Sequence, residues 1–185
     1  MSGAKKIPLA DARLFAHKLL DLLEPVCERI EIAGSIRRQC LEVGDIEIVA
    51  IPKPTWDLFG NRKWDTSTII ARVFDLDQRN LLRGPEEPLF TKRGEWYAKF
   101  RAFGMDVDLF MTTPEKWGCI YMIRTGSADF SKRMMTKQSR GGECPDHLYF
   151  REGRLWDGEY ALQTPEEDDV FRLLGVNWLD PVGRF

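Results

Sequence analysis

The sequence has no long apolar run. No stretch approaches the roughly 20 apolar residues that a membrane-spanning helix requires, and Met1–Pro8 lacks the apolar segment of a signal peptide. The absence of both features argues against the usual membrane-protein and secreted classes. We therefore expect a cytoplasmic protein without a membrane partner.

Cysteine and histidine are also scarce. The four cysteines are widely separated, form no Cys-x-x-Cys pair and are accompanied by only two histidines. A structural zinc site needs four such ligands, usually in closely spaced pairs. A zinc site is therefore not expected, and the sequence favours buried, reduced thiols.

An excess of charge of either sign is missing as well. The 185 residues include 27 Lys and Arg against 29 Asp and Glu, a net charge of −2. With so little net charge, nucleic acid can be attracted only by a local patch. The segment Ser131–Arg140 carries four cations and no acid, and we expect all four to lie along one side of a helix. They are Lys132, Arg133, Lys137 and Arg140. The alternative interpretation is a solvated helix face.

The composition, 43% hydrophobic and 30% charged, is that of a globular protein, and the length suits one domain with a small appended subdomain. Hydrophobic periodicity and capping signals predict a series of elements. They are a helix over 9–23, strands over 29–33 and 45–51, a helix over 67–82, a hairpin of 96–103 with 105–111, a helix after Thr113, a second helix capped by Ser127, a hairpin of 148–150 with 154–156, and a last helix opened by a capping box at 164–167 and ending at Leu174. Residues 55–65 are expected to form a loop.

Three carboxylates stand in two apolar strand patterns. Because side chains alternate along a strand, Asp45 and Glu47 share one face while Ile46 packs on the other. Asp108 lies in a similar alternation over 105–111. If the two strands are neighbours, three like charges converge, which is costly unless metal ions neutralise them. Such oxygen ligands are what Mg²⁺ uses when it also holds substrate phosphates, so the pattern indicates phosphoryl transfer. An edge strand with a charged outer face is the alternative.

Four motifs in order resemble the X family of DNA polymerases, within the polymerase-β-like nucleotidyltransferases. They are Gly34–Arg38 (Gly-Ser-Ile-Arg-Arg), Gly44–Ile48 (Gly-Asp-Ile-Glu-Ile), Val107–Leu109 (Val-Asp-Leu) and Thr125–Ser127 (Thr-Gly-Ser). The acidic segment Glu166–Gly175 is also similar to the end of that family's last subdomain. The resemblance covers nearly the whole chain.

The resemblance implies an α+β fold with two parts. Residues 1–140 would form a palm, a mixed sheet with flanking helices, and residues 141–185 a small C-terminal α/β subdomain that is thumb-like and closes on the nucleotide. It also implies two divalent ions, Mg²⁺ or Mn²⁺, about 4 Å apart. Asp45 and Glu47 would contact both ions, and Asp108 would hold the catalytic ion and receive the proton of the attacking hydroxyl.

The resemblance further implies a nucleotide site built from two turns. Gly34 lets the backbone approach the triphosphate, Ser35 donates a hydroxyl bond to it, and Arg38 matches the phosphate-binding arginine. Further candidates are Arg37, the sugar-contacting turn Thr125, Gly126 and Ser127, and Asp129 as a displaced base-edge acid. The basic residues Lys132, Arg133, Lys137 and Arg140 would contact DNA.

The sequence departs from the family in three places. Glu47 stands where the best-known polymerases have Asp, and Ile123-Arg124 replaces the aromatic pair before Thr-Gly-Ser, which bears on the choice between dNTP and NTP. Only about 30 residues precede the Gly-Ser motif. No lyase domain fits there, so no lyase activity is expected.

The function that the resemblance implies is template-directed DNA synthesis. A monomer would add dNMP from a dNTP to a primer 3′-hydroxyl, filling short gaps or extending primers on a DNA primer-template. The alternatives are a terminal, RNA-directed, protein or small-molecule nucleotidyltransferase, and a catalytically idle nucleic-acid-binding module.

Overall fold

The structure is a computed structural model that describes residues 6–82 and 89–185. The strands are β1 (Ile7–Pro8), β2 (Cys27–Ile32), β3 (Glu42–Val43), β4 (Asp45–Pro52), β5 (Pro54–Trp56), β6 (Arg62–Trp64), β7 (Phe90–Arg93), β8 (Tyr97–Ala102), β9 (Met105–Met111), β10 (Leu148–Arg151), β11 (Arg154–Asp157) and β12 (Tyr160–Ala161). The α-helices are α1 (Leu9–Leu23), α2 (Gly34–Arg37), α3 (Ser67–Gln78), α4 (Trp117–Thr125), α5 (Ala128–Met135) and α6 (Glu167–Leu174). Short 3₁₀ turns lie at Glu24–Val26, Pro114–Lys116, Gln138–Arg140 and Pro181–Gly183.

A mixed five-stranded sheet organises the N-terminal two-thirds of the chain. Its strand order is β2-β4-β9-β8-β7, with β4 and β9 parallel and the other neighbours antiparallel. The predicted mixed sheet with flanking helices is therefore confirmed. The helix predicted over 9–23 has the bounds of α1, and the predicted hairpin is formed by β8 and β9.

One face of this sheet is buried beneath α1 and α3. Leu19 and Leu23 of α1 pack in one cluster with Ile46 and Ile48 of β4, and all four are fully buried. Each such side chain contributes roughly 1.5–3 kcal/mol by leaving water. Because β4 alternates, this packing fixes the opposite orientation for Asp45 and its neighbours on the other face.

The chain beyond the sheet has a second hydrophobic cluster. Cys119 and Met122 of α4, Phe130 of α5, Leu155 of β11 and Phe171 of α6 are all buried within it. Residues on both sides of position 141 therefore share one core. The division of the chain into domains 1–140 and 141–185 remains a prediction.

The segment over 55–65 corrects one expectation. It forms the hairpin β5–β6, with Pro54 opposite Trp64, rather than a loop. The turn is held by Asp57, whose Oδ1 accepts the backbone N–H groups of Phe59 (2.9 Å) and Asn61 (2.8 Å). Such side-chain-to-backbone bonds stabilise tight turns, and they give no hydrophobic signal in the sequence.

The basic segment also differs from its prediction. Helix α5 ends where the Thr136 hydroxyl donates to the Lys132 carbonyl oxygen (2.6 Å) and the backbone becomes extended. The expectation of one helix carrying four cations on one side is therefore wrong. Lys132 and Arg133 lie on α5, Lys137 follows it, and Arg140 lies in the 3₁₀ turn beyond.

The last helix begins later than its predicted capping box. Its N-cap is Glu166, and the Glu166 backbone N–H donates to Asp169 Oδ2 (2.9 Å) in a capping box of these two residues. Thr164 is instead buried, with its hydroxyl 3.3 Å from the Glu115 carbonyl oxygen. In the described part of the chain, no helix has the length and apolar character needed to cross a membrane.

Candidate active site

The parallel pairing of β4 and β9 brings the acidic residues together. Glu47 lies opposite Asp108 in the register, and Asp45 lies opposite Asp106. All four are half-buried, while the residues between them on each strand are fully buried. The convergence of Asp45, Glu47 and Asp108 that the sequence predicts therefore follows from strand register, and Asp106 joins them.

Burial and mutual repulsion make the carboxylates of β4 hard to ionise. Burial, together with the charges of Asp45 and Asp108, raises the pKa of Glu47 to about 7. Burial and the charge of Asp108 also raise the pKa of Asp45. Both effects disfavour the charged form, and a bound cation would remove them.

Strand β8 supplies donors to the acids of β9, and none of these donors is among the predicted site residues. The Tyr97 hydroxyl donates to Asp108 Oδ1. Lys99 Nζ lies 3.5 Å from Asp108 Oδ2 and 3.3 Å from Asp106 Oδ2. Arg101 Nη1 lies 3.2 Å from Asp106 Oδ1. Both carboxylate oxygens of Asp108 therefore face donors of the same protein.

The side chains of the acidic cluster are chemically suited to bind divalent metal ions. Three carboxylates at neighbouring register positions are the hard oxygen ligands that Mg²⁺ and Mn²⁺ take, and burial together with the neighbouring acids raises the pKa of Glu47. Within residues 6–82 and 89–185, no three Asp, Glu, His or Cys side chains are arranged so that they could hold a metal ion as they stand. Asp45, Glu47 and Asp108 would hold the ions after Asp108 exchanges its present donors.

The Gly-Ser turn lies directly against Glu47. Gly34 begins α2 with φ at +58°, and a Cβ at this position would clash with Glu47 Oε2. Both the left-handed backbone and the close approach require glycine. The neighbouring Ala33 N–H donates to the Glu47 carbonyl oxygen (2.8 Å), which fixes the turn to β4.

Two polar groups beside this turn are buried without partners among the described residues. They are Ser35 Oγ and Arg38 Nε. Arg38 is otherwise held by the bond from Nη1 to the Thr125 carbonyl oxygen (2.6 Å). Buried donors without partners are costly, so these groups are available to a ligand that brings acceptor oxygens.

Arg37 has a different environment from Arg38. Its guanidinium donates to Thr125 Oγ1 (2.6 Å) and to both oxygens of Glu167 (2.8 and 2.9 Å), and it stacks 3.8 Å from the centre of the Tyr121 ring. Arg184 binds the same Glu167 carboxylate (2.5 and 3.1 Å) and is fully buried. The structure therefore places Arg37 in an ion-pair network that joins α2, α6 and the last residues of the chain.

This network predicts a loss of stability in acid. Burial alone would raise the pKa of Glu167, but the hydrogen bonds from Arg37 and Arg184 outweigh it and hold the pKa below its usual range. A depressed folded-state pKa stabilises the protein fully above the unfolded value, about 4.3, and this contribution is lost as the pH falls below it.

The measurement is the unfolding free energy of wild type and Glu167→Gln at a series of pH values from about 7 to about 3. We expect the stability advantage of wild type to shrink on the acid side. Other carboxylates contribute equally to both proteins and cancel in the difference. A constant difference across the series would contradict the account.

The Thr-Gly-Ser turn closes the other side of the site. A Cβ at Gly126 would clash with the Phe130 ring, so glycine is required by packing. Ser127 caps α5, with its Oγ accepting the Phe130 N–H (3.1 Å), and its own N–H donates to the Arg184 carbonyl oxygen (3.0 Å). Asp129 is exposed in the first turn of α5.

Two clefts meet at the acidic cluster. A smaller cleft of about 570 Å³ has in its lining Arg38, Glu47, Arg124, Gly126, Ser127 and Lys132. A larger cleft of about 980 Å³ has in its lining Glu47, Lys92, Trp96, Tyr97, Asp108 and Arg124. Glu47 and Arg124 line both and so form the wall between them.

The basic residues proposed for DNA are not equivalent. Lys132 is exposed and lines the smaller cleft. Arg133 Nε lies 3.7 Å from Glu143 Oε1, and Lys137 Nζ donates to the Asp146 carbonyl oxygen (2.5 Å). Arg140 is exposed in its 3₁₀ turn. Of the four, the structure brings Lys132 alone to the lining of the smaller cleft in the described part of the chain.

The mixed five-stranded sheet with its flanking helices is similar in fold to a known polymerase structure. A solved structure similar to this chain is the crystal structure of Leishmania infantum polymerase beta, described as a ternary P/T complex. The TM-score is 0.71 at 18% sequence identity, over 99% of this chain and 78% of the other. No protein-family model matches the sequence, and no curated protein matches it. The chain therefore has a polymerase-β-like fold at low sequence identity.

Proposed function

We propose that this protein is a metal-dependent DNA polymerase that adds a nucleoside monophosphate from a dNTP to a primer 3′-hydroxyl on a primed or gapped template. One observation supports this proposal above the others. The register of β4 on β9 gathers the carboxylates of Asp45, Glu47 and Asp108, and Glu47 of this group lies directly against the Gly34 turn. Acids beside a phosphate-binding turn are what nucleotidyl transfer requires.

The smaller cleft suits the triphosphate. Arg38 lines this cleft, and its Nε is buried without a partner among the described residues, as is Ser35 Oγ three positions earlier in the chain. Both would donate to phosphate oxygens. The Gly126-Ser127 turn would lie along the sugar. Thr125 holds the two sides together, because its carbonyl oxygen and hydroxyl accept bonds from Arg38 and Arg37.

The larger cleft suits the primer end. It exposes Asp108 together with Tyr97, Trp96 and Lys92, so a strand entering there brings its terminal hydroxyl to Asp108. Divalent ions held by the three carboxylates would supply the positive charge that lowers the hydroxyl pKa and offsets the charge of the triphosphate. Asp108 would accept the hydroxyl proton on a carboxylate oxygen as the new phosphodiester forms and pyrophosphate leaves.

The test is a panel of acceptors and nucleotides. Single-stranded, primed and gapped DNA, primed RNA, and protein acceptors are each incubated with labelled dNTPs or NTPs and with Mg²⁺ or Mn²⁺. Templated extension of primed or gapped DNA supports the proposal. Untemplated addition to single strands indicates a terminal transferase, labelling of protein alone indicates a different acceptor class, and binding without any transfer indicates an idle nucleic-acid-binding module.

Lys132 provides a separate prediction about DNA binding. We expect Lys132→Ala to weaken binding of primed DNA and to reduce the slope of log affinity against log salt by about one, because one phosphate contact releases about one counterion. Arg140→Ala is the matched control, since Arg140 is equally exposed but lies outside the lining of the cleft. Affinity titrations at several salt concentrations measure both. Equal effects of the two substitutions would show that DNA does not bind along the smaller cleft.

A further inference from the structure

The acidic cluster is accompanied by cations that the proposed chemistry does not use. Lys99 Nζ bridges Asp106 and Asp108, at 3.3 and 3.5 Å, from the neighbouring strand. The register of β8 on β9 places Lys99 directly opposite Asp108, so this position is set by the backbone and not by a flexible loop. A cation at this distance occupies a carboxylate oxygen of Asp108 and would repel a divalent ion bound to the same carboxylate.

Arg124 is a second cation near the cluster, and it lines both clefts with Glu47. Its guanidinium lies 3.9 Å from the centre of the Phe110 ring, and its Nε is buried without a hydrogen-bond partner. Among the residues that the structure describes, it makes no hydrogen bond or ion pair within 4.0 Å. The charges of Glu47 and Asp108 act on it. Burying the Nε of a half-buried arginine without a hydrogen bond is costly, and the field of the acids and the aromatic face offset that cost.

We propose that Lys99 and Arg124 are built-in counter-cations, which neutralise the acidic cluster in the metal-free protein and compete with divalent ions for it. The inference rests on the proposed function, since it takes Asp45, Glu47 and Asp108 as the metal ligands. Neither residue touches the reacting atoms in this account. Both are positioning residues that determine the metal concentration at which the site fills.

The mechanism is electrostatic. Lys99 lies beside Asp106 and Asp108, and Arg124 lies in the field of Glu47 and Asp108, so both would repel a divalent ion held by these acids, and Lys99 would compete with it for Asp108. Removing either cation lowers that repulsion. The same removal leaves the acids uncompensated when no metal is present, so the metal-free protein loses stability. The two effects have opposite signs, and a purely structural role would produce only the second.

The test measures metal binding directly and does not depend on activity. Mn²⁺ affinity is determined from the electron paramagnetic resonance signal of free Mn²⁺ for wild type, Lys99→Met and Arg124→Met, without nucleotide. We expect each variant to bind Mn²⁺ several-fold more tightly than wild type. We also expect each to melt at a lower temperature than wild type in EDTA and to regain most of the difference in saturating Mn²⁺. If a methionine variant does not fold, the same measurements are made on Lys99→Gln or Arg124→Gln.

Lys92→Met is the matched control. Lys92 lines the same larger cleft, 5.5 Å from the centre of the Tyr97 ring, and makes no ion pair with a described residue. Its loss should leave Mn²⁺ affinity close to that of wild type. If Lys92→Met tightens binding as much as the other two, general cleft charge and not local competition is responsible, and the inference is overturned.

The outcomes separate this inference from the proposed function. Unchanged or weaker Mn²⁺ binding in both Lys99 and Arg124 variants overturns the counter-cation role while leaving polymerase activity open to its own assay. Wild-type Mn²⁺ binding in Asp108→Asn would instead remove the metal site on which both rest. Tighter binding in the two variants, with no nucleotide transfer in any assay, would support the counter-cations and refute the polymerase.

Discussion

Asp108→Asn is expected to reduce nucleotide incorporation by about 10³-fold or more. The substitution keeps the size of the side chain but removes a negative charge that would hold the catalytic ion and accept the primer hydroxyl proton. Several kcal/mol of transition-state stabilisation depend on such a group, and each 1.4 kcal/mol corresponds to a factor of ten in rate. The effect should fall on the rate of the chemical step and not on DNA affinity.

Single-turnover extension of a primed template measures this rate, with DNA and nucleotide both saturating. Asp168→Asn is the control, because Asp168 is an exposed acid in the first turn of α6 and belongs to no part of the proposed site. It should retain a rate within a few-fold of wild type. An Asp108→Asn rate near that of Asp168→Asn would exclude Asp108 from the chemistry.

Glu167→Gln is expected to destabilise the fold by about 3 to 5 kcal/mol. The Glu167 side chain is 8% exposed and compensates two arginines, one of them with a side chain that is 0% exposed. Losing the charge leaves Arg37 and Arg184 close together in the interior without a counter-ion, which is the costly way to break a buried ion pair. The loss is a large fraction of the 5–15 kcal/mol typical of a domain.

Glu166→Gln provides the comparison within one helix turn. Glu166 also pairs with an arginine in two-bond geometry, to Arg29 at 2.7 and 2.9 Å, but its side chain is 61% exposed. Exposed ion pairs contribute at most about 1 kcal/mol. Denaturant unfolding of both variants and wild type measures the difference. Similar losses for the two would show that burial of the network does not determine its contribution.

The orientation of the two acids of β4 can be predicted from the sequence. Strand alternation predicts that Asp45 and Glu47 face away from Ile46 and Ile48, and the structure has the two isoleucines fully buried. Alternation is a local property, so it can be read without knowing which strands are neighbours. The motif at Gly34 is similarly local, because a left-handed turn requires glycine whatever surrounds it.

The donors around Asp108 could have been predicted in part. The hairpin of 96–103 with 105–111 was expected, and its short turn at Phe103-Gly104 sets a register in which Lys99 faces Asp108. Counting back from that turn gives Tyr97, Lys99 and Arg101 on the acidic face. Their role as donors beside the acids of β4 can be recognised only when β4 is known to pair with β9. No local sequence pattern predicts that pairing.

The remaining features depend on contacts between distant parts of the chain. Arg37 was proposed for the nucleotide because it adjoins Arg38, yet it binds Glu167, 130 positions away in the sequence. No periodic pattern in the sequence connects Arg37 with Glu167 or Arg184. The end of α5 before Thr136 likewise depends on a side-chain bond to the backbone, and a helical pattern of cations does not detect it.

The central claim is that the face formed by β4 and β9 transfers a nucleotide to DNA. The most direct measurement supplies DNA with a one-nucleotide gap, the complementary labelled dNTP and Mn²⁺, and quantifies extended primer and pyrophosphate together. The account predicts one templated nucleotide added and one pyrophosphate released per primer by wild type, with neither product from Asp108→Asn. Binding of DNA and dNTP by the wild-type protein with no extension and no pyrophosphate, in Mn²⁺ or Mg²⁺, would contradict it.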